Sequence, residues 1–151
     1  MRKVLIALIL AWVSITGVAA ADGDESIVLL VDRRANEVSL YFSLPARDLE
    51  PVFGHSASEM LGPDDTVDID ALYDGTFDTA DAILDRVEVR IAGDAVNVEA
   101  LSMMLHDPKF LPPFADPYDA QVAIAVCTSP ETVKGMGLGD LRAYLGYFAW
   151  Q

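Results

Sequence analysis

"SIVLLVDRRANEVSLYFSL", residues 26–44, decides the fold. Ile27 to Val31 is an unbroken apolar run, and Asp32 to Asn36 is polar. Val38, Leu40, Phe42 and Leu44 then alternate with Ser39, Tyr41 and Ser43. A period of two residues is that of a half-buried strand, and two such runs joined by a short polar break predict an antiparallel hairpin. Pro45 closes the second strand, since it has no N–H to give to a ladder.

Downstream, "RVEVRIAGDAVNVEALSMML" (86–105) repeats the pattern. Val87, Val89 and Ile91 alternate with Glu88 and Arg90, "AGDA" supplies turn residues, and a second strand follows. Regular alternation would put Val96, Val98, Ala100, Ser102 and Met104 on one face, with Leu101, Met103 and Leu105 on the other. "QVAIAVCT" (121–128) reads as a further, central strand, and "LRAYLGYFAWQ" (141–151), rich in aromatics, as a last one. Between them, "SPETV" places Ser129 as cap and Pro130 at the first position of a short helix. Strands spaced by turns, without long helices between them, predict a mainly β fold, an antiparallel β-sandwich-like domain with one or two short helices; α+β is the alternative.

Residues 46–85 interrupt this pattern. From Asp48 to Asp85 there are eleven acidic residues and no Lys or Arg. The expectation is an irregular acidic segment with a helical turn or two over 79–84, capped by Asp78.

The chain begins "MRKVLIALILAWVSITGVAAADGDE": two positive charges, an apolar run, an alanine cluster and an abrupt acidic stretch. This is the pattern of a secretory signal peptide over 1–21, leaving one exported domain over 22–151. A retained anchor is the rival, although Val4–Ala20 is at the short end of the roughly 20 residues a span needs. Losing Arg2 and Lys3 with the leader takes the formal charge from −14 to −16. Such a chain has no basic face to displace the counterions of nucleic acid, and nothing after the leader is long and apolar enough to insert in a membrane. Periplasmic or secreted placement follows, with another exported or membrane protein as partner. A single cysteine excludes an internal disulfide.

Several stretches carry possible chemistry. "SMMLHDP" (102–108) brings Met104 and His106 to one side of a regular strand, and thioether with imidazole suits copper. His55 and Met60 would complete that set from elsewhere. The ordinary reading makes Met104 a core filler and His106 a strand-exit residue whose charged form Asp107 favours. Asp64, Asp65, Asp68, Asp70 and Asp74 are dense enough for calcium but lack the glycine of the known loop pattern. Ser56, in "GHSAS", invites a nucleophile-elbow reading. Its spacing to Glu59 fits a helix capping box better. Cys127 is expected to be a buried, inert thiol. Tyr144, Tyr147, Phe148 and Trp150 either close the core or form a contact edge, since aromatics dominate both settings. With two histidines and no credible triad, a non-enzymatic exported binding or accessory module is the leading reading. A copper-handling protein is the alternative, and a calcium-binding acidic domain the second alternative.

Overall fold

The computed structural model describes the backbone of residues 4–6, together with residues 26–35, 37–111 and 113–150. The opening hairpin forms as the alternation demands. Strand β2 (Val28–Arg34) pairs antiparallel with β3 (Glu37–Pro45), in register from Val28 opposite Ser43 to Arg34 opposite Glu37. The turn is tighter than the polar stretch implied, because Asp32 and Arg33 stay in the ladder. Strand β7 (Arg142–Trp150) lies on the other side of β3, and β6 (Asn97–His106) on the other side of β7. The result is a four-stranded antiparallel sheet ordered β2-β3-β7-β6. A two-stranded hairpin, β4 (Val87–Ile91) with β5 (Asp94–Ala95), stands apart from it. Its turn is the "AGDA" stretch, with both Ala92 (φ 54°) and Gly93 (φ 96°) left-handed, as a two-residue hairpin turn requires.

Of residues 1–21, read above as a leader, only β1 (Val4–Ile6) is described. Its backbone runs parallel to β4, from Val4 opposite Val87 to Ile6 opposite Val89. The rest of that segment lies outside the described residues, none of which forms a helix long and apolar enough to cross a membrane.

The fold is thus β-rich and antiparallel, as the alternation predicted. Helices rather than a second broad sheet cover its two faces, which is the α+β layering. On one face, Leu40, Phe42 and Leu44 of β3 join Met103 and Leu105 of β6 and Leu145 and Tyr147 of β7. Helix α1 (Leu49–Phe53), the turn at Ser58–Met60 and α2 (Ile69–Leu84) pack on them. On the opposite face, α3 (Pro117–Ala125) sets Ala120, Ala123 and Ile124 over Tyr41 and Tyr144. Its approach depends on Gly146, where a Cβ would lie 2.5 Å from Ile124 Cδ1.

Two helical segments depart from expectation. α2 runs over sixteen residues, not the turn or two read at 79–84, and its cap is Asp68, not Asp78. The Asp68 carboxylate accepts from the amides of Asp70 and Ala71 at 3.0 and 3.1 Å. Leu72, Thr76, Thr79, Ala80 and Ile83 form its buried stripe, in which two threonines obscure the helical period. Residues 121–125, read as a central strand, belong to α3. Asp116 caps that helix by accepting from Tyr118 and Asp119 at 2.8 and 2.9 Å, and Pro117 starts it. A short apolar run cannot by itself separate a strand from a buried helix; the cap and proline decide it. The helix expected after Ser129 does form, as α4 (Pro130–Val133), although the Ser129 side chain makes no capping bond.

Candidate functional site

A bulge in β6 sets the geometry of the histidine stretch. Ala100 faces Tyr147 and Ser102 faces Gly146, so Leu101 is an extra residue in the ladder. An inserted residue reverses the alternation beyond it. Val98 and Ala100 point to the α2 side, as expected. After the bulge it is Met103 and Leu105 that continue this core face, not Ser102 and Met104. Met104 and His106 turn instead toward α3, beside Tyr144 and Arg142 of β7.

There His106 is buried, and its Nε2 lies 3.0 Å from the Ala123 carbonyl. A carbonyl can only accept, so Nε2 carries the proton. Burial lowers the His106 pKa, while bonding to the Ala123 and Val126 backbone partly offsets it. Burial thus favours the neutral ring, whereas the sequence pointed to a charged form favoured by Asp107. The Asp107 side chain is turned to the Lys109 amide at 3.0 Å, where it caps the turn at Pro108–Phe110.

The other proposed copper ligands lie across the sheet. Met60 is fully buried in the α2-side core and packs against Gly75, whose Cβ would meet Met60 Cγ at 3.3 Å. A glycine in mid-helix costs about 1 kcal/mol relative to alanine, and the space it leaves is filled by Met60. His55 follows α1 on the same side. Its Nε2 is 3.5 Å from Glu59 Oε1, and the pair is too poorly aligned to form a hydrogen bond. That oxygen already accepts from Thr79 Oγ1 at 2.9 Å. Met104 and His106 thus share one face, while His55 and Met60 belong to the other. Among the described residues no three His, Cys, Asp or Glu side chains gather as a metal centre.

Of the aspartates proposed for calcium, Asp64 and Asp68 act as local caps, while Asp70 and Asp74 lie exposed on α2. Asp64 accepts from both the amide and hydroxyl of Thr66, which lowers its pKa. Asp68 caps α2. Ser56 Oγ accepts from the Ser58 amide at 3.1 Å, and Glu59 turns to Thr79, so the capping box is replaced by a serine turn. Cys127 is exposed rather than buried, because α3 ends at Ala125 and releases the chain.

The C-terminal aromatics divide. Tyr144 and Tyr147 are core residues, and the Tyr147 hydroxyl donates to the Ala80 carbonyl at 3.2 Å. Burial raises both tyrosine pKa values. Phe148 and Trp150 stay half-exposed, with rings stacked 5.6 Å apart.

Sequence reasoning passed over Arg142. It lies two residues before Tyr144 on the same face of β7, a placement that strand alternation alone signals. Its Nε donates to Ser43 Oγ at 3.0 Å and its Nη2 to the Ser26 carbonyl at 2.6 Å. A buried cation thereby fixes the chain's entry into β2.

Also missed was the outer face of α2. It presents Asp70, Asp74, Asp78 and Asp81 together with Tyr73 (43% exposed) and Phe77 (53% exposed). The Tyr73 hydroxyl donates to the Thr128 carbonyl at 2.6 Å, which ties this face to the exposed Val126–Cys127 stretch. A helix read as an acidic loop could not show that its aromatics and acids share one side. No protein-family model, curated protein or solved structure matches the chain.

Proposed function

We propose that the chain is an exported, non-enzymatic binding module that offers the outer face of α2 to a basic partner protein. The leader pattern supports export, and the acidic composition argues against nucleic acid. The observation that carries the reading is the pairing of exposed Tyr73 and Phe77 with four aspartates on that face. The Tyr73 hydroxyl is used within the fold, but a merely solvated helix face has no use for the Phe77 ring beside it, whereas aromatics are enriched where proteins meet. Two acids are also poorly placed for the helix itself. Asp81 and the capping residue Asp85 lie at its carbonyl end, where the dipole disfavours negative charge. A partner carrying Lys or Arg would neutralise them and cover the rings between. The stacked Phe148–Trp150 pair is a smaller contact surface of the same kind.

Site-specific photocrosslinking tests this. A photoreactive residue at Phe77 is expected to trap a discrete basic protein in the exported fraction. Trapping should be lost when Asp74 and Asp78 are both changed to Lys. The same probe at Phe110, exposed on the proline loop, should trap nothing comparable. Equal yields at the two positions, or trapping that survives the charge reversal, would overturn the reading.

A further inference from the structure

The outer edge of β2 carries a second, independent surface. β2 ends the sheet among the described residues, so one row of its backbone donors and acceptors faces away from β3. Soluble proteins usually protect such an edge with lysine, proline, a bulge or extreme shortness. β2 lacks lysine, proline, a bulge and extreme shortness, and its charged residues, Asp32, Arg33 and Arg34, are confined to its last three positions, beyond the apolar stretch. It is seven residues long, pairs with β3 without a register break and contains no Pro or Lys. Its start is fixed too, because Arg142 holds the Ser26 carbonyl. On the face away from α3, Ile27, Leu29 and Val31 are 52%, 37% and 40% exposed, an alternating apolar row along the open edge.

From this we infer that β2 pairs antiparallel with β2 of a second copy of the chain, about a two-fold axis at Leu29. The sequence is self-complementary in that register. Leu29 meets Leu29, Ile27 meets Val31, Val28 meets Leu30 and Ser26 meets Asp32. All three exposed apolar residues of each copy then cover their counterparts. A two-fold contact uses the same patch on both copies, and a single patch that complements itself fulfils that condition. The two four-stranded sheets merge into one of eight strands, within the usual range. α2 packs toward β6 at the far side of the sheet, so both acidic faces stay uncovered.

Sedimentation velocity over a concentration series in 0.15 M salt reads the association, and a Cys127→Ser background allows the register to be read by oxidation. The purified protein is expected to approach twice the monomer mass as concentration rises. Leu29→Lys should weaken the dimer at least tenfold, about 1.4 kcal/mol, since lysine is a natural edge blocker. Tyr118→Lys, on α3, should not. Leu29→Cys should crosslink to itself. Arg33→Cys should not, because two copies of that position lie about 27 Å apart in this register. A protein that stays monomeric into the hundreds of micromolar, a dimer indifferent to Leu29→Lys, or equal crosslinking at positions 29 and 33 would each overturn the inference. The crosslinking pair decides the matter if Leu29→Lys fails to fold.

Discussion

His106 donates from Nε2 to the Ala123 carbonyl, and burial holds its pKa below the ordinary value of 6.5. The sign of the resulting pH dependence follows by linkage. Above pH 6.5 the imidazole is neutral in both folded and unfolded chains and contributes no slope. As pH falls through 6.5 the unfolded chain takes up the proton first, so stability drops until the lowered folded pKa is reached. The urea midpoint of the wild type should therefore fall more steeply between pH 7 and pH 5 than that of His106→Gln. Parallel curves would show that the ring does not titrate in this way. The sequence showed that Met104 and His106 share a side, but it misplaced that side. Leu101 is as apolar as its neighbours, so nothing in the pattern marked it as the inserted residue that reverses the faces. The charge on His106 was misjudged for a related reason. Asp107 is adjacent in sequence but turned to the Lys109 amide, while the burial that lowers the His106 pKa comes with packing against α3, a helix read as a strand.

At the scale of elements, β3 was legible from its two-residue alternation, β2 from a short apolar run ending in a polar turn, and β7 from aromatics that favour strands. α3 and most of α2 were not. α3 is small and apolar on nearly every side, and α2 hides its buried stripe behind threonine and its exposed side behind aspartate. Each element now has its own test. α3 sits on Gly146, and Gly146→Ala pushes a methyl against Ile124 Cδ1. Overpacking of this kind costs about 1–3 kcal/mol. Ile124→Val removes the obstructing atom, so the double variant should recover most of that loss. Strict additivity in urea unfolding would mean that the two residues do not touch. In α2, Asp85→Lys replaces an acid at the carbonyl end, four residues from Asp81, with a base. It should stabilise by about 0.3–1 kcal/mol. Asp68→Ala removes a cap bonded to two amides and should cost about 1 kcal/mol. Stabilisation from both variants would contradict the assignment of helix ends.

Across the whole molecule the acids work against the fold. The formal charge is −14, with eleven acidic residues and no Lys or Arg between Asp48 and Asp85. Ion pairs such as Arg90–Glu88 and Arg34–Asp32 join residues two apart and do nothing for that concentration of charge. On α2, Asp70–Asp74, Asp74–Asp78 and Asp81–Asp85 are like pairs at helical spacing, each unfavourable by about 0.2–0.5 kcal/mol at low salt. Screening shortens from about 10 Å at 0.1 M to about 3 Å at 1 M. Sodium chloride should therefore raise the unfolding midpoint, by about 1 kcal/mol in total if those pairs dominate. A partner held by the same aspartates responds in the opposite sense, because screening removes the attraction that neutralises them. The two measurements on one sample should thus diverge, with stability rising and crosslinking at Phe77 falling over the same salt range. If both rose together, apolar contact through Tyr73 and Phe77 would be carrying the complex and the aspartates would be only a solvated rim. If stability did not respond at all, the repulsion within α2 would be too weak to account for acids at its carbonyl end, and the charge argument for a basic partner would lose its premise.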